Sequence, residues 1–111
     1  MDGAVVVLAN EATLVARAAA EPSAFAAIYD HYFPRVYNYV RYRIGDMQTT
    51  DDIVAQVFEQ ALVNIGSYRP QRAPFAAWLF AIARNAVSDY QRARRRHGWF
   101  SLEVLRSQPG A

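Results

Sequence analysis

The chain has 111 residues, 53% of them hydrophobic, enough for one domain with a modest core. It holds no cysteine, which excludes disulfide frameworks and thiolate metal sites, and its two histidines, His31 and His97, lack a metal-ligand spacing. The net charge of +2 averages two unlike halves: residues 1–62 carry eight acids against four arginines, a net of −4, while residues 63–111 carry eight arginines against two acids, a net of +6.

Such polarity points to two different partners, one of them a polyanion. Every basic residue is Arg, whose planar fork suits phosphate and whose face can stack. The N-terminal apolar run at residues 4–9 follows an acid and is too short for a signal-peptide core. No segment nears ~18 consecutive apolar residues, so no membrane span is expected and the cytoplasm is the default compartment. No cofactor is expected.

Five Gly and five Pro argue for long regular elements, and the apolar periodicity is helical throughout. The first helix is expected over residues 11–20, with Asn10 as N-cap and Leu14, Val15 and Ala18 on a weak apolar face. Pro22 then suits the first turn of a second helix. Its core residues are Phe25, Ile28, Tyr29, Tyr32, Val36, Tyr39, Val40 and Ile44. Pro34 lies inside that helix and is expected to kink or split it, and Gly45 to cap its end.

A third helix is expected to open at "TTDD", capped by Thr49 or Thr50, with Asp51 and Asp52 complementing the dipole. Val54, Val57, Phe58, Ala61, Leu62 and Ile65 form its apolar stripe; Asp52, Gln56, Glu59, Gln60 and Val63 lie on or near the other face. Gly66 is expected to stop it. After the loop "SYRPQRAP", Pro74 begins a fourth helix with Phe75, Leu79, Ile82, Ala83, Ala86 and Tyr90 facing the core. No strand pattern occurs, so the expected fold is an all-α, compact bundle of about four helices, the second kinked near Pro34. Residues 1–97 form the domain, and residues 98–111 a turn followed by a tail or linker.

At about 100° per residue, the fourth helix divides into three strips. Beside the core strip, Trp78, Asn85 and Arg92 line one flank, with Asp89 and Arg96 close to the same line; Arg84, Gln91 and Arg95 face outward. Asn carries a donor and an acceptor and can read a base edge. Arg92, Arg94, Arg95 and Arg96 can hold phosphates. The preceding loop adds Tyr68, Arg69 and Arg72, an aromatic beside arginines, which is the pairing single-stranded nucleic acid uses. Each residue also has a structural reading. Trp78 can belong to the core, Asn85 can be solvated, Tyr68 can cover a helix end, and a C-terminal Arg cluster is favoured by the helix dipole without any ligand. Together, with the charge asymmetry, they favour nucleic-acid binding.

In order, "FAAIYDHYFPRVYNYVRYRIGD", "TTDDIVAQVFEQALVNIGSYR" and "APFAAWLFAIARNAVSDYQRARRR" resemble conserved region 2 of bacterial sigma factors of the sigma-70 family, most like the extracytoplasmic-function (ECF) group. The likeness covers residues 11–97, and its most specific run is F-x-x-W-L-x-x-I-A-R-N-x-x-x-D-x-x-R at residues 75–92.

The resemblance implies a transcription initiation factor. Its third helix would dock on the β′ clamp of core RNA polymerase through Asp52, Gln56, Glu59 and Gln60. The loop at residues 68–74 would capture a base flipped from the non-template strand of the promoter minus-ten element. Asn85 would line that base pocket, and Arg84 with Arg92, Arg94, Arg95 and Arg96 would meet the duplex and the non-template strand. An anti-sigma factor is a further implied partner, and a second helical domain, region 4, is expected beyond Ala111. Two positions depart from the pattern. Ala55 stands where the family often has Gln, and Trp78–Leu79 replaces the paired aromatic wedge of housekeeping sigma factors, which implies weaker melting and a stricter promoter. The alternative is a degenerate sigma-like module that binds polymerase or an anti-sigma factor without reading DNA. An enzyme is the weakest reading: Asp51, Asp52 and Glu59 lie on an exposed helix, without a setting that would separate their pKa values.

Overall fold

Residues 8–107 are described in a computed structural model of the chain. They form four α-helices in the order α1 (Glu11–Ala18), α2 (Pro22–Ile44), α3 (Met47–Asn64) and α4 (Phe75–Ser107), with one 3-10 turn, Ile65–Ser67, after α3. No strand occurs among the described residues.

The local signals that start and stop these helices differ in part from those expected. Asn10 does not cap α1 through its side chain. It sits in the left-handed region at φ 61°, and its carbonyl accepts from the N–H of Leu14 at 3.0 Å. Pro22 stands at the first turn of α2, and Gly45 closes that helix at φ 95°, a conformation a side chain would strain. Of the kink or split expected at Pro34, the split does not occur. Pro34 cannot supply the N–H that the Asp30 carbonyl would otherwise accept, yet α2 runs unbroken on both sides. The burial of Tyr32, Val36 and Val40 against the other helices holds it together. The cap of α3 is Asp46, not Thr49 or Thr50, so the helix is capped three to four residues earlier than expected. Asp46 Oδ1 accepts from the Thr49 N–H at 2.9 Å, and this bond holds the carboxyl below its ordinary range. Thr50 is instead fully buried, its hydroxyl donating to the Asp46 carbonyl at 2.7 Å.

All four helices contribute to one core. Ile28, Val36 and Val40 of α2 meet Val57 and Ala61 of α3 and Leu79 and Ala83 of α4, all essentially inaccessible to water. Each buried Val, Leu or Ile contributes roughly 1.5–3 kcal/mol relative to an exposed one. Tyr29 and Leu62, expected inside, are exposed, while Ile53 and Val87 take core positions. The short α1 is tied down by a polar contact. The Tyr32 hydroxyl donates to Glu11 Oε1 at 2.6 Å, and burial, reinforced by this bond, pushes the Tyr32 phenol well above its ordinary pKa.

The largest difference from expectation lies in α4, which continues through Gly98 to Ser107 without the expected turn. A mid-helix Gly costs about 1 kcal/mol relative to Ala, too little to stop a helix with no other breaker beside it. The next Pro-Gly pair, Pro109–Gly110, lies outside the described residues. A 33-residue helix is about 50 Å long, so α4 outruns the bundle. Trp99, Phe100, Leu102 and Leu105 on this projection are 60–65% exposed.

Candidate nucleic-acid interface

The connection from α3 to α4 builds a cavity. As α3 ends, Asn64 Nδ2 donates to the Gln60 carbonyl at 2.9 Å, and Ser67 Oγ donates to the Asn64 carbonyl at 2.7 Å. With Ile65 buried beneath, these bonds tighten the chain into the 3-10 turn. Tyr68 then folds back. Its hydroxyl donates to the Ala73 carbonyl at 2.7 Å, which clasps the loop into a bow. Its ring meets Phe75 edge-on at 5.4 Å and Trp78 at 5.5 Å, tilted by 55°. Burial, and secondarily the charge of Glu11, raise the Tyr68 phenol pKa above its ordinary value.

The space inside the bow is a cavity of about 360 Å³ lined by Ser67, Tyr68, Arg69, Arg72, Ala73 and Trp78. It is at the small end of the ~300–1,000 Å³ range of ligand sites. Two of its walls are aromatic and two are cationic. Arg69 is folded onto the turn, Nη1 donating to the carbonyls of Gly66 at 3.0 Å and Tyr68 at 3.2 Å. The Arg72 backbone N–H closes the loop on the Arg69 carbonyl at 3.0 Å. The Arg72 guanidinium has no carboxylate partner among the described residues.

Trp78 is half-buried and belongs both to the core and to the cavity wall. Asn85 follows it by two helical turns on the same flank, about 10 Å along α4. Asn85 is exposed and does not line the cavity, so the expected sharing of one pocket by Asn85 and Tyr68 is not found. Arg84 is exposed and follows by one turn Phe80, whose ring meets Tyr39 of α2. Of the basic end, Arg92 pairs with Asp89, and Arg94 Nη1 donates to the Tyr90 hydroxyl at 3.3 Å. Arg95 and Arg96 are exposed, without an acidic partner among the described residues. Arg94 also lowers the pKa of Asp46 slightly, placing the basic end of α4 near the start of α3. Reasoning from sequence missed Ser67 and Ala73, because a loop's contacts have no periodicity to read. The Arg92–Asp89 pair was within reach, since a three-residue spacing puts both on one helix face.

On α3, Asp52, Gln56, Glu59 and Gln60 are all exposed on one outer face, opposite buried Ile53, Val54, Val57 and Phe58. Exposed Val63, on the same face, and nearby Leu62 add apolar surface. This is an acidic and apolar patch of the kind a protein partner covers.

Residues 28–97 match the family described as sigma-70 region 2. The chain belongs to this family. Its members are transcription initiation factors, not enzymes. Curated relatives identify the ECF type. One is the ECF RNA polymerase sigma factor BldN of Streptomyces coelicolor, 44% identical over 92 residues, covering 82% of this chain and 33% of the relative. Another is the ECF RNA polymerase sigma factor SigW of Bacillus subtilis, 32% identical over 84 residues, covering 76% of this chain and 44% of the relative. Among solved structures, a chain of the RsbN–BldN complex superposes with a TM-score of 0.64 and 42% identity, over 71% of this chain and 58% of that one. This ECF region 2 chain therefore spans a third to a half of the length of these curated relatives. No helix among its described residues is long and apolar enough to cross a membrane.

Proposed function

We propose that this ECF region 2 docks on core RNA polymerase through the outer face of α3 and captures a flipped base of the minus-ten non-template strand. The observation that carries the proposal is the cavity between α3 and α4. It has Tyr68 and Trp78 as walls and Arg69 and Arg72 at its rim, and it stands at the head of a helix that ends in arginines. Flipping a base costs a few kcal/mol. Stacking on an aromatic returns about 1–3 kcal/mol per base, so Tyr68 and Trp78 with phosphate contacts from Arg69 and Arg72 can balance the cost. Asn85, farther along the same flank, is free to read a neighbouring base edge. Arg84 and the basic end at residues 92–96 hold the backbone of the strand and of the adjoining duplex. Asp52, Gln56, Glu59 and Gln60 form the polymerase-facing surface, on the β′ clamp, and the site of action is cytoplasmic.

The test is a titration of a single-stranded minus-ten oligonucleotide with the unmodified chain and with Asn85→Ala. Loss of affinity and of sequence preference in the variant is expected; an unchanged variant refutes the base-reading role. If Arg92, Arg94, Arg95 and Arg96 each meet a phosphate, log affinity should fall against log salt with a slope of about −3, from ~0.7 per contact on single strands.

One observation favours a second reading, a module for protein partners alone. The solved relative is held in a complex with another protein, RsbN, and the α4 projection here offers exposed Trp99, Phe100 and Leu105 to such a partner. In that case polymerase or an anti-sigma factor would still be bound, and no oligonucleotide would be.

A further inference from the structure

The cavity uses one flank of α4; the other flank, facing α2, carries a second cationic surface. There Arg35 Cζ lies 5.6 Å from the Tyr32 ring centroid and 5.4 Å from that of Phe80. Eight residues on, Arg43 Cζ lies 3.7 Å from the Tyr39 ring and 5.9 Å from that of Tyr42. Tyr39 meets Phe80 edge-on at 5.6 Å, so aromatic rings pave the seam between the two helices. The seam is held in register by Gln91 Nε2, which reaches the Arg43 carbonyl at 3.5 Å, while Arg43 Nη1 donates to the Tyr39 carbonyl at 3.1 Å. Arg84, on the same flank of α4, and Arg95 beyond it continue the line toward the basic end.

Two features separate this seam from an ordinary solvated surface. Arg35 and Arg43 each lie near two aromatic rings. None of Arg35, Arg43, Arg84 and Arg95 has an acidic partner among the described residues. A guanidinium held near an aromatic ring keeps N–H donors to spare, and its planar fork is matched in shape to a phosphate. From Arg35 to Arg43 is about 12 Å along α2, a length over which duplex DNA presents several phosphates.

We infer that the α2–α4 seam, through Arg35 and Arg43, binds the phosphate backbone of double-stranded DNA next to the melted element. This rests on the proposed DNA-binding role and extends it from α4 to the arginines of α2, which that role does not use. A DNA fork lying across the outer face of α4 would present its melted strand to the Trp78 flank. Its paired part would lie on the Phe80 flank. Duplex DNA fits better than an acidic protein because the seam leads to the arginine end of α4.

The test compares the 111-residue chain with Arg35→Gln/Arg43→Gln and Arg35→Lys/Arg43→Lys. Two probes are used with core polymerase present: a minus-ten single strand, and the same strand joined to an upstream duplex. Anisotropy is read from about 50 to about 200 mM salt. The Gln pair should flatten the salt slope on the forked probe by about 1.8, from ~0.9 per duplex phosphate contact. Its single-strand affinity should stay within about twofold, and the Lys pair should keep the slope because it keeps the charge. An unchanged forked slope in the Gln pair overturns the inference. So does a Lys pair that loses the slope as fully as the Gln pair, or a Gln pair that loses polymerase instead of duplex, which would assign the seam to a protein. If Arg95→Gln/Arg96→Gln weakens forked binding while the Gln pair does not, the seam fails and the proposed function stands. If the unmodified chain binds neither probe, both fail.

Discussion

Tyr68→Phe and Tyr68→Ala should separate two jobs done by one side chain. The hydroxyl closes the loop on the Ala73 carbonyl at 2.7 Å, whereas the ring walls the cavity with Trp78 at 5.5 Å. Removing the hydroxyl forfeits one part-buried hydrogen bond, about 0.5–1.5 kcal/mol. Tyr68→Phe should therefore melt several degrees lower yet hold a minus-ten single strand within about twofold, because the stacking surface remains. Removing the ring also forfeits the contacts to Phe75 and Trp78, each about 0.5–1.5 kcal/mol beyond buried area. It further removes the stacking of a bound base, about 1–3 kcal/mol, or roughly five- to 150-fold in affinity. Thermal melts followed by circular dichroism report the first effect, and oligonucleotide anisotropy with core polymerase reports the second. A Tyr68→Ala chain that stays folded and binds the strand as tightly as the unmodified chain would refute the base-capture reading of the cavity. A Tyr68→Phe chain that binds as poorly as Tyr68→Ala would show that the clasp, not the ring, matters.

Leu79→Ala should cost about 2–5 kcal/mol, on the order of 10–30 °C in Tm by calorimetry, since Leu79 is fully buried where α4 meets the other helices. Tyr32 should make folding sensitive to alkali. Its folded pKa lies above the unfolded value of 10.0, so the unfolded chain loses that proton first. Stability from this group is whole below about pH 10 and falls as pH rises further. Tyr32→Phe should abolish that part of an alkaline denaturation profile while losing about 1 kcal/mol at neutral pH. Glu59→Arg, on the exposed face of α3, should change stability by less than about 0.5 kcal/mol yet cut core polymerase capture sharply in a pull-down. Full capture by that variant would move the docking surface elsewhere.

Periodicity made the bundle legible: the stripes of α2, α3 and α4 were readable because one buried face repeats every three or four residues. Helix ends were harder, because several residues near each boundary are competent caps. Asp46, Thr49 and Thr50 can all cap α3, and the choice falls on Asp46 because Thr50 is drawn into the core. Gly98 reads as a stop only when its cost is overestimated. Pro34 reads as a break only when the packing on both sides of it is ignored. At the site, the flank bearing Trp78, Asn85 and Arg92 was visible on a helical wheel. The distance separating Asn85 from the cavity was not, because a wheel discards the axial coordinate. The clasp of Tyr68 on Ala73 and the placing of Arg35 and Arg43 beside aromatic rings depend on loop shape and on helix neighbours, neither of which a single sequence prints.

The central claim is that one base leaves the minus-ten strand and stacks on the aromatic wall formed by Tyr68 and Trp78. The most direct measurement replaces each nucleotide of the strand in turn by an abasic one and reads affinity for the chain assembled with core polymerase. One position should lose roughly five- to 150-fold, with smaller losses at its neighbours, and that penalty should vanish in Tyr68→Ala. An even loss across all positions, or a penalty that survives in Tyr68→Ala, would contradict the account.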